Sequence, residues 1–357
     1  MKEEGISMKN NNSHFRGCLL GGAIGDALGY TVEFMGIEQI KRRFGIDGIT
    51  DLLCDKTSGK AIISDDTQMT IFTADGILWA DMRGRERGIC SYPACVFYSY
   101  QRWLYTQTGR LANKEYHWLL DNKSVDYKSE LLNIKELFVR RAPGNTCLSA
   151  LSGSMNQQYG TMENRINNSK GCGGVMRVAP SGLYFHKSPE VAFKIAAECA
   201  AITHGHPSGY LSAGVLACII AEIINGNDVK QAAINAANIL KTYAEHKECL
   251  DILQRAMNLS IKDVVPSEAV RQLGEGWVGE EALAIALYCA LKYQNDFKKA
   301  IFLAVNHSGD SDSTGAICGN IVGAYLGIDG ISTNWIENVE LSELIISMAD
   351  KLLEATT

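Results

Sequence analysis

Apolar residues recur at three- and four-residue spacing along most of this chain, which is the pattern of amphipathic α-helices. Convincing two-residue alternation, which would indicate β-strands, is absent. The pattern therefore predicts an all-α protein, an orthogonal multi-helix bundle. The nine segments that show it are residues 15–34, 66–82, 93–107, 189–203, 208–224, 228–244, 280–293, 313–326 and 334–354.

Two of these segments carry glycine at every fourth position. A glycine inside a helix costs up to ~1 kcal/mol relative to alanine, so repeated glycines indicate a face where backbones approach closely. We infer two central helices packed tightly against neighbours or each other, with their polar ends at one site; the alternative is that the glycines are merely tolerated. They are Gly17, Gly21, Gly25 and Gly29, and Gly315, Gly319, Gly323 and Gly327.

Composition narrows the protein class. The chain has 357 residues, 46% of them hydrophobic, and only 6 prolines, with no Pro-rich linker. We predict a single domain over residues 14–357, preceded by a flexible polar tail over residues 1–13. A net charge of −6 argues against a general nucleic-acid binder. The apolar stretch at residues 17–25 is too short to span a bilayer, so we expect no membrane partner.

Cysteine usage indicates the compartment. The 11 cysteines form no CxxC pair, and their number is odd. Since no signal peptide opens the chain, they are interpreted as reduced thiols, and a cytoplasmic location is expected.

Two short acidic clusters lie near opposite ends of the chain, SDDT at residues 64–67 and HSGDSDST at residues 307–314. Their oxygen-only side chains suit hard divalent cations such as Mg²⁺ or Mn²⁺, and neighbouring carboxylates need a compensating cation or good solvation. Either cluster alone is also consistent with a solvated loop or a helix N-cap. Because each opens an apolar helical segment, the two together predict one shared metal site.

Other residues are candidates for chemistry. Asp26 and Glu33 are two helical turns apart, so they share a face if the helix continues; a buried salt bridge is the alternative for these acids. The glycine-rich loop at residues 168–177 offers backbone N–H groups to a phosphate, although it matches no nucleotide-binding fingerprint. His204 and His206 could be zinc ligands, but no third soft ligand has suitable spacing, so His204 or Tyr210 is interpreted as a substrate contact.

Five motifs in order resemble the ADP-ribosylglycohydrolases, which include dinitrogenase reductase-activating glycohydrolase and the ADP-ribosyl-arginine and ADP-ribosyl-serine hydrolases. The resemblance covers about residues 15–326. Each motif alone is modest, but the five together are specific. They are GCLLGGAIGDALG with a glutamate after it, SDDTQM, GCGGVMR, THGHPSGY and HSGDSDST.

The resemblance implies an all-helical fold with a binuclear Mg²⁺ or Mn²⁺ centre in a cleft. By position it assigns Glu33 to a mobile acidic residue at the cleft mouth and His204 to a substrate contact. Some members have threonine in place of Ser64, and both supply a hydroxyl oxygen. The first metal would be held by Ser64, Asp65 and Asp66 with Asp312 bridging, the second by Asp310 and Ser313, and the diphosphate by Gly171, Cys172, Gly173 and Gly174.

The implied reaction is hydrolysis of a glycosidic bond at ribose, which develops oxocarbenium-like charge. Two metals about 3.5–4 Å apart can orient ribose hydroxyls and activate water, and either Asp66 or Glu33 could be the acid or base. We therefore expect a Mg²⁺-dependent hydrolase that releases ADP-ribose from mono-ADP-ribosylated protein, with arginine as the favoured linkage and a cognate ADP-ribosyltransferase as a further partner.

Three alternatives stay open at this stage. The substrate could carry ADP-ribose on serine or be a small molecule. The protein could be an immunity protein that neutralises an ADP-ribosylating toxin. It could also be a binding protein of the same fold without catalysis, although all six candidate metal-ligand oxygens are present.

Overall fold

The computed structural model describes residues 11–121, 126–154 and 158–357, which form α-helices and short 3₁₀ turns. Within these ranges only isolated β-bridges occur, so the predicted all-α bundle is confirmed. The helices are α1 Asn11–Tyr30, α2 Ile37–Phe44, α3 Asp65–Arg87, α4 Tyr92–Thr108, α5 Asn145–Ser152, α6 Ala179–Tyr184, α7 Pro189–Ala201, α8 Pro207–Ile224, α9 Val229–Leu240, α10 Lys247–Ser260, α11 Pro266–Leu273, α12 Gly279–Lys292, α13 Phe297–Val305, α14 Ser311–Leu326, α15 Thr333–Asn338 and α16 Ser342–Ala355.

The two glycine-rich helices, α1 and α14, pack directly against each other. A methyl group on Gly21 would lie 2.3 Å from the carbonyl oxygen of Gly319. Gly17 faces Gly323 at one end of the pair and Gly29 faces Ser311 at the other, so the helices run antiparallel. The inference from the glycine spacing is therefore confirmed, and the end of α1 meets the beginning of α14.

Some predicted helix boundaries were wrong. The first helix ends at Tyr30 rather than at residue 34, and a turn follows in which the N–H of Val32 donates to the carbonyl of Gly29 (2.8 Å). The last predicted helix is split into α15 and α16. The break lies before α16, where Leu341 has a positive φ of 59°, a conformation that a continuous right-handed helix excludes.

A single hydrophobic cluster fills the space between the helices. Its largest fully buried side chains include Trp79, Trp103 and Trp335. Among the described residues, α8 is the helix whose length and apolar composition would allow it to cross a membrane, and 94% of that stretch is buried inside the protein. This burial is what a central core helix requires.

The predicted N-terminal tail falls in two parts. Residues 1–10 lie outside the described residues, whereas residues 11–13 form the first turn of α1. There Ser13 is buried and its hydroxyl donates to Asp329 (2.8 Å). The division into one domain over residues 14–357 stays a prediction.

Candidate functional site

A cavity of about 220 Å³ lies where the C-terminal end of α1 meets the N-terminal ends of α3 and α14. Both acidic clusters and the glycine-rich loop contribute to its wall. The residues that line it are Glu33, Asp65, Asp66, Ala142, Gly144, Asn145, Thr146, Cys147, Gly171, Cys172, Gly173, Met176, His204, Trp277, Asp310, Asp312 and Ser313.

The first acidic cluster forms the start of α3. Ser64 is the N-cap, and its hydroxyl oxygen accepts a hydrogen bond from the N–H of Asp66 (3.2 Å). Asp65 and Asp66 occupy the first turn, where the helix dipole favours negative charge. Their side chains line the cavity, whereas Ser64 lies behind them, fully buried, and does not line it.

The second acidic cluster forms the start of α14 in a similar way. The carboxylate of Asp310 accepts from the N–H of Ser313 (3.2 Å), and that of Asp312 accepts from the same N–H (2.9 Å). The hydroxyl of Ser313 donates to Oδ2 of Asp66 at 2.9 Å. This bond joins residues 247 positions apart in the chain, so the fold brings the two clusters to one place.

Asp26 supports the site from behind. It is fully buried and does not line the cavity. Its carboxylate accepts hydrogen bonds from the N–H of Ser64 (3.0 Å), from the N–H of Thr67 (3.2 Å) and from the Thr67 hydroxyl. Asp26 therefore satisfies free N–H groups at the start of α3 and fixes the position of Asp65 and Asp66.

Glu33 reaches the cavity from the turn that follows α1. The residue is only 8% exposed, and its Oε2 atom is buried without a hydrogen-bond partner. The predicted reason for its position was wrong, because the helix does not continue to Glu33 and the residue shares no helical face with Asp26. It lines the cavity because the chain turns at that point.

The carboxyl groups of this site repel one another in the absence of a cation. Burial, and then the charge of Asp312, raises the pKa of Asp26 to about 7 and that of Glu33 to about 10. The same two causes raise the pKa of Asp65, Asp66 and Asp310. A cation bound among them would lower all of these values.

Neighbouring basic side chains do not supply that positive charge. Among the described residues, no ion pair includes Asp26, Glu33, Asp65, Asp66, Asp310 or Asp312. The unpartnered oxygen of Glu33 and the oxygen-rich wall fit a hard divalent ion. In the same ranges no group of three or more His, Cys, Asp or Glu side chains is placed to hold a metal ion by itself, so an ion would also use hydroxyl or water oxygens, as Mg²⁺ commonly does with water.

The glycine-rich loop forms the part of the wall next to Asp310. The N–H of Cys172 donates to the carbonyl of Trp277 (3.2 Å), and the Cys172 thiol contacts Oδ2 of Asp310 (2.7 Å). Gly171 and Gly173 line the cavity, but Gly174 does not. A methyl group on Gly174 would lie 3.0 Å from the carbonyl oxygen of Gly209, so its small size serves helix packing.

His204 lines the cavity beside this loop, whereas Tyr210 does not. Burial lowers the pKa of His204 to about 3, with a smaller contribution from the charge of Arg177, so the ring is neutral. Tyr210 is also buried, but its hydroxyl lies 3.5 Å from Nη2 of Arg165. The two substrate contacts proposed from the sequence thus lie in different surroundings.

Several wall residues carried no signal in the sequence. They come from the segment before α5 and its first turn, together with the 42%-exposed Trp277. Ala142 has a positive φ of 52°, which is unusual for a residue other than glycine. A positive φ and a tertiary contact are properties of the folded chain, so spacing and residue type did not reveal them. The wall residues of that segment are Ala142, Gly144, Asn145, Thr146 and Cys147.

Comparisons with known proteins match nearly the whole chain to one protein family. The family model described as ADP-ribosylglycohydrolase matches residues 7–357. An uncharacterised protein of Archaeoglobus fulgidus is 27% identical, covering 95% of this chain and 96% of its own. The ADP-ribosylarginine hydrolase Tri1 of Pseudomonas putida is 24% identical (95% and 77%). The ADP-ribosyl-[dinitrogen reductase] glycohydrolase of Rhodospirillum rubrum is 23% identical (91% and 90%).

A solved structure titled ADP-ribosylglycohydrolase-related protein complex shares the fold. It superposes with a TM-score of 0.57 at 22% sequence identity, covering 98% of this chain and 100% of that one.

Proposed function

Because the chain belongs to the ADP-ribosylglycohydrolase family, whose members hydrolyse glycosidic linkages of ADP-ribose, we propose that it is a Mg²⁺-dependent hydrolase that releases ADP-ribose from mono-ADP-ribosylated protein. The observation that carries the proposal is the 2.9 Å bond between Ser313 and Asp66, which joins the two acidic clusters in the wall of one cavity. That wall also contains Gly171, Cys172 and Gly173 of the glycine-rich loop, so the proposed cation ligands and the proposed diphosphate-binding loop lie side by side.

Two Mg²⁺ ions, or Mn²⁺, are the proposed cofactor. When bound, they would orient ribose hydroxyls and lower the pKa of a water molecule. Asp65 and Asp66 would hold one ion and Asp310 and Ser313 the other, with Asp312 shared. Ser64 is the least direct of the proposed ligands because it lies behind the cavity wall.

Backbone and side-chain groups of the protein would perform the remaining tasks. Gly171 and Gly173 line the cavity, and a glycine-rich loop of this kind can bind a diphosphate through backbone N–H groups. The N–H groups of Gly171 and Cys172 already donate to Ser169 and Trp277, so the proposed diphosphate contacts come from the rest of the loop. Glu33 has a free carboxyl oxygen at the cavity, whereas an Asp66 oxygen is engaged by Ser313. We therefore propose Glu33 as the general acid or base and Asp66 chiefly as a ligand.

Arginine is the proposed linkage, since a relative matched over 95% of this chain is named an ADP-ribosylarginine hydrolase. The remaining parts of the proposal are a cytoplasmic location and a cognate ADP-ribosyltransferase that makes the substrate. Relatives named ADP-ribosylhydrolase ARH3, a name that specifies no linkage, also match, one of them over 48% of the chain. The serine linkage left open by the sequence is therefore the second candidate.

The test is incubation of the protein with peptides that carry ADP-ribose on arginine or on serine, and with a small ADP-ribosylated molecule, each with MgCl₂ or with EDTA. Release of free ADP-ribose from the arginine peptide in MgCl₂ alone is the expected result. Faster release from the serine peptide would transfer the proposal to that linkage. No release from any substrate would contradict the enzymatic function.

A further inference from the structure

Arg177, the last residue of the glycine-rich loop, is fully buried and has no carboxylate partner in the described part of the chain. Its exposed fraction is 0%, and no ion pair among the described residues includes it. Its guanidinium contacts the Cys199 carbonyl (3.3 Å) and the Cys147 sulfur (3.3 Å) and lies over the Tyr100 ring at 4.4 Å. Burying a charge without a counter-charge is costly, so a purely structural role would be served better by an apolar side chain.

The shortest hydrogen bond of Arg177 leads toward the cavity. Nη2 donates to the hydroxyl oxygen of Thr203 at 2.7 Å, and that oxygen lies 2.8 Å from Nδ1 of His204. An arginine can only donate. The Thr203 oxygen accepts from Arg177, and the hydroxyl still has one hydrogen to donate and one lone pair with which to accept. We assign that hydrogen to Nδ1 of His204, because the other acceptor within reach, the Cys147 sulfur, is a weak one.

This order of donors decides which ring nitrogen of His204 carries the proton. A neutral imidazole has one N–H and one acceptor nitrogen. If Nδ1 accepts from Thr203, the proton is on Nε2. Nε2 faces the glycine loop, since methyl groups on Gly171 and Gly173 would lie 3.4 Å and 3.3 Å from it.

We propose that Arg177 is a positioning residue that acts through Thr203 to hold His204 with its Nε2–H directed at the cavity, where it donates to a phosphate oxygen of the ligand. The identity of the ligand rests on the proposed function, whereas the tautomer of His204 does not. With the opposite tautomer, a nitrogen lone pair would face the phosphate oxygens and repel them.

The first experiment needs no ligand. Nitrogen-15 labelling of the histidines, with His204→Gln to assign the ring signals among the 7 histidines of the chain, reports which nitrogen is protonated. We expect the wild type to show only the Nε2–H form. In Thr203→Val, which keeps the shape and loses the hydroxyl, the Nδ1–H form should appear beside it, and Thr203→Ser should restore the wild-type signals. An Nδ1–H wild type, or an unchanged Thr203→Val spectrum, would overturn the proposal.

The second experiment measures binding of ADP-ribose by calorimetry in the same three proteins, with adenosine as an uncharged probe. A lost hydrogen bond to a charged group corresponds to about ten- to hundredfold weaker binding. We expect that loss for ADP-ribose in Thr203→Val and not in Thr203→Ser, with adenosine binding unaffected. Equal affinity of Thr203→Val and wild type for ADP-ribose would overturn the role in phosphate binding.

Arg177→Met tests whether Arg177 orients the Thr203 hydroxyl toward His204, the series of hydrogen bonds called the relay below. Circular dichroism establishes whether the variant folds. If it is folded, it should behave as Thr203→Val does in both experiments, and a wild-type result would remove Arg177 from the relay. If it does not fold, the Thr203 pair still decides the proposal. A wild type that binds no ADP-ribose would contradict the proposed function, while the tautomer measurement would still decide whether the relay exists.

Discussion

At the scale of single residues, Asp26 and Glu33 show how the partners of a carboxylate determine its role. Asp26 accepts hydrogen bonds from backbone N–H groups and a hydroxyl at the start of α3, so its carboxylate serves structure. Glu33 leaves a buried oxygen without a partner at the cavity. An unpartnered buried carboxyl oxygen costs free energy, which is consistent with a residue kept for binding or catalysis.

Glu33→Gln is expected to slow turnover about 10²–10⁴-fold, the contribution of a general acid or base. The amide keeps the size of the side chain but cannot exchange a proton. The measurement is the rate of ADP-ribose release at saturating substrate, with Mg²⁺ affinity determined in parallel. Near-normal turnover would move the acid or base role to Asp66, and an equal loss of Mg²⁺ binding would make Glu33 a ligand.

Gly171→Ala is expected to weaken ADP-ribose binding about tenfold or more without unfolding the protein. The methyl group would have ordinary contact distance to Nε2 of His204, 3.4 Å, but it would cover that nitrogen and part of the loop. Calorimetric titration is the measurement. Gly36→Ala is the control, because its methyl group would meet only the Ser308 hydroxyl, at 3.7 Å. Binding by Gly171→Ala as tight as that of the control would make the loop structural.

At the scale of helices, the close packing of α1 against α14 positions the site. Four backbone contacts along the pair leave no room for a side chain at Gly17, Gly21, Gly25 and Gly29. The antiparallel pairing then fixes where α1 ends relative to the start of α14. Small residues in the middle of the helices thus bring the acidic cluster of α14 next to the turn that carries Glu33.

Gly21→Ala should destabilise the protein by about 3 kcal/mol or more, at or beyond the usual upper end for overpacking. Its methyl group would lie 2.3 Å from a backbone oxygen of α14, which cannot rotate away. Gly84→Ala, in α3, is the matched control. Its methyl group would meet the Cys90 side chain at 3.3 Å, and we expect no loss or a gain of up to ~1 kcal/mol. Urea unfolding measures both, and equal effects would contradict the packing argument.

Helix packing also explains which helices and which site residues could be predicted from the sequence. The long helices and the α1–α14 pair were predictable because their periodicity and glycine spacing extend over several turns. Short helices such as α2 and α5 have only 8 residues each, too few for a clear period. The reach of Glu33 depends on where α1 ends, and Gly174 serves packing rather than the cavity. Both depend on tertiary contacts that residue types alone do not encode.

At the scale of the whole molecule, folding concentrates negative charge in one place. Six carboxyl groups from α1, the turn after it, α3 and the start of α14 converge at or beside the cavity, without an ion pair among the described residues. Asp312 is the common neighbour whose charge raises the pKa of the other five. The stability of the whole chain should therefore depend on whether a cation is bound there.

Asp312→Asn is expected to have opposite effects on stability with and without Mg²⁺. In EDTA the variant should be more stable than the wild type by about 1 kcal/mol or more, because it removes repulsion among buried like charges. The amide oxygen can still accept the N–H of Ser313, which now donates to Asp312 at 2.9 Å. Added Mg²⁺ should stabilise the wild type by about 2.7 kcal/mol at a hundredfold excess over its Kd and should stabilise the variant much less.

Urea unfolding of both proteins in EDTA, in MgCl₂ and in NaCl of equal ionic strength measures this reversal. The NaCl series separates specific binding from general screening of charge. A wild type that responds equally to both salts would contradict the proposed metal site, since screening alone would then account for the stabilisation. A variant that is less stable than the wild type in EDTA would show that Asp312 contributes more through its hydrogen bonds than it costs through repulsion.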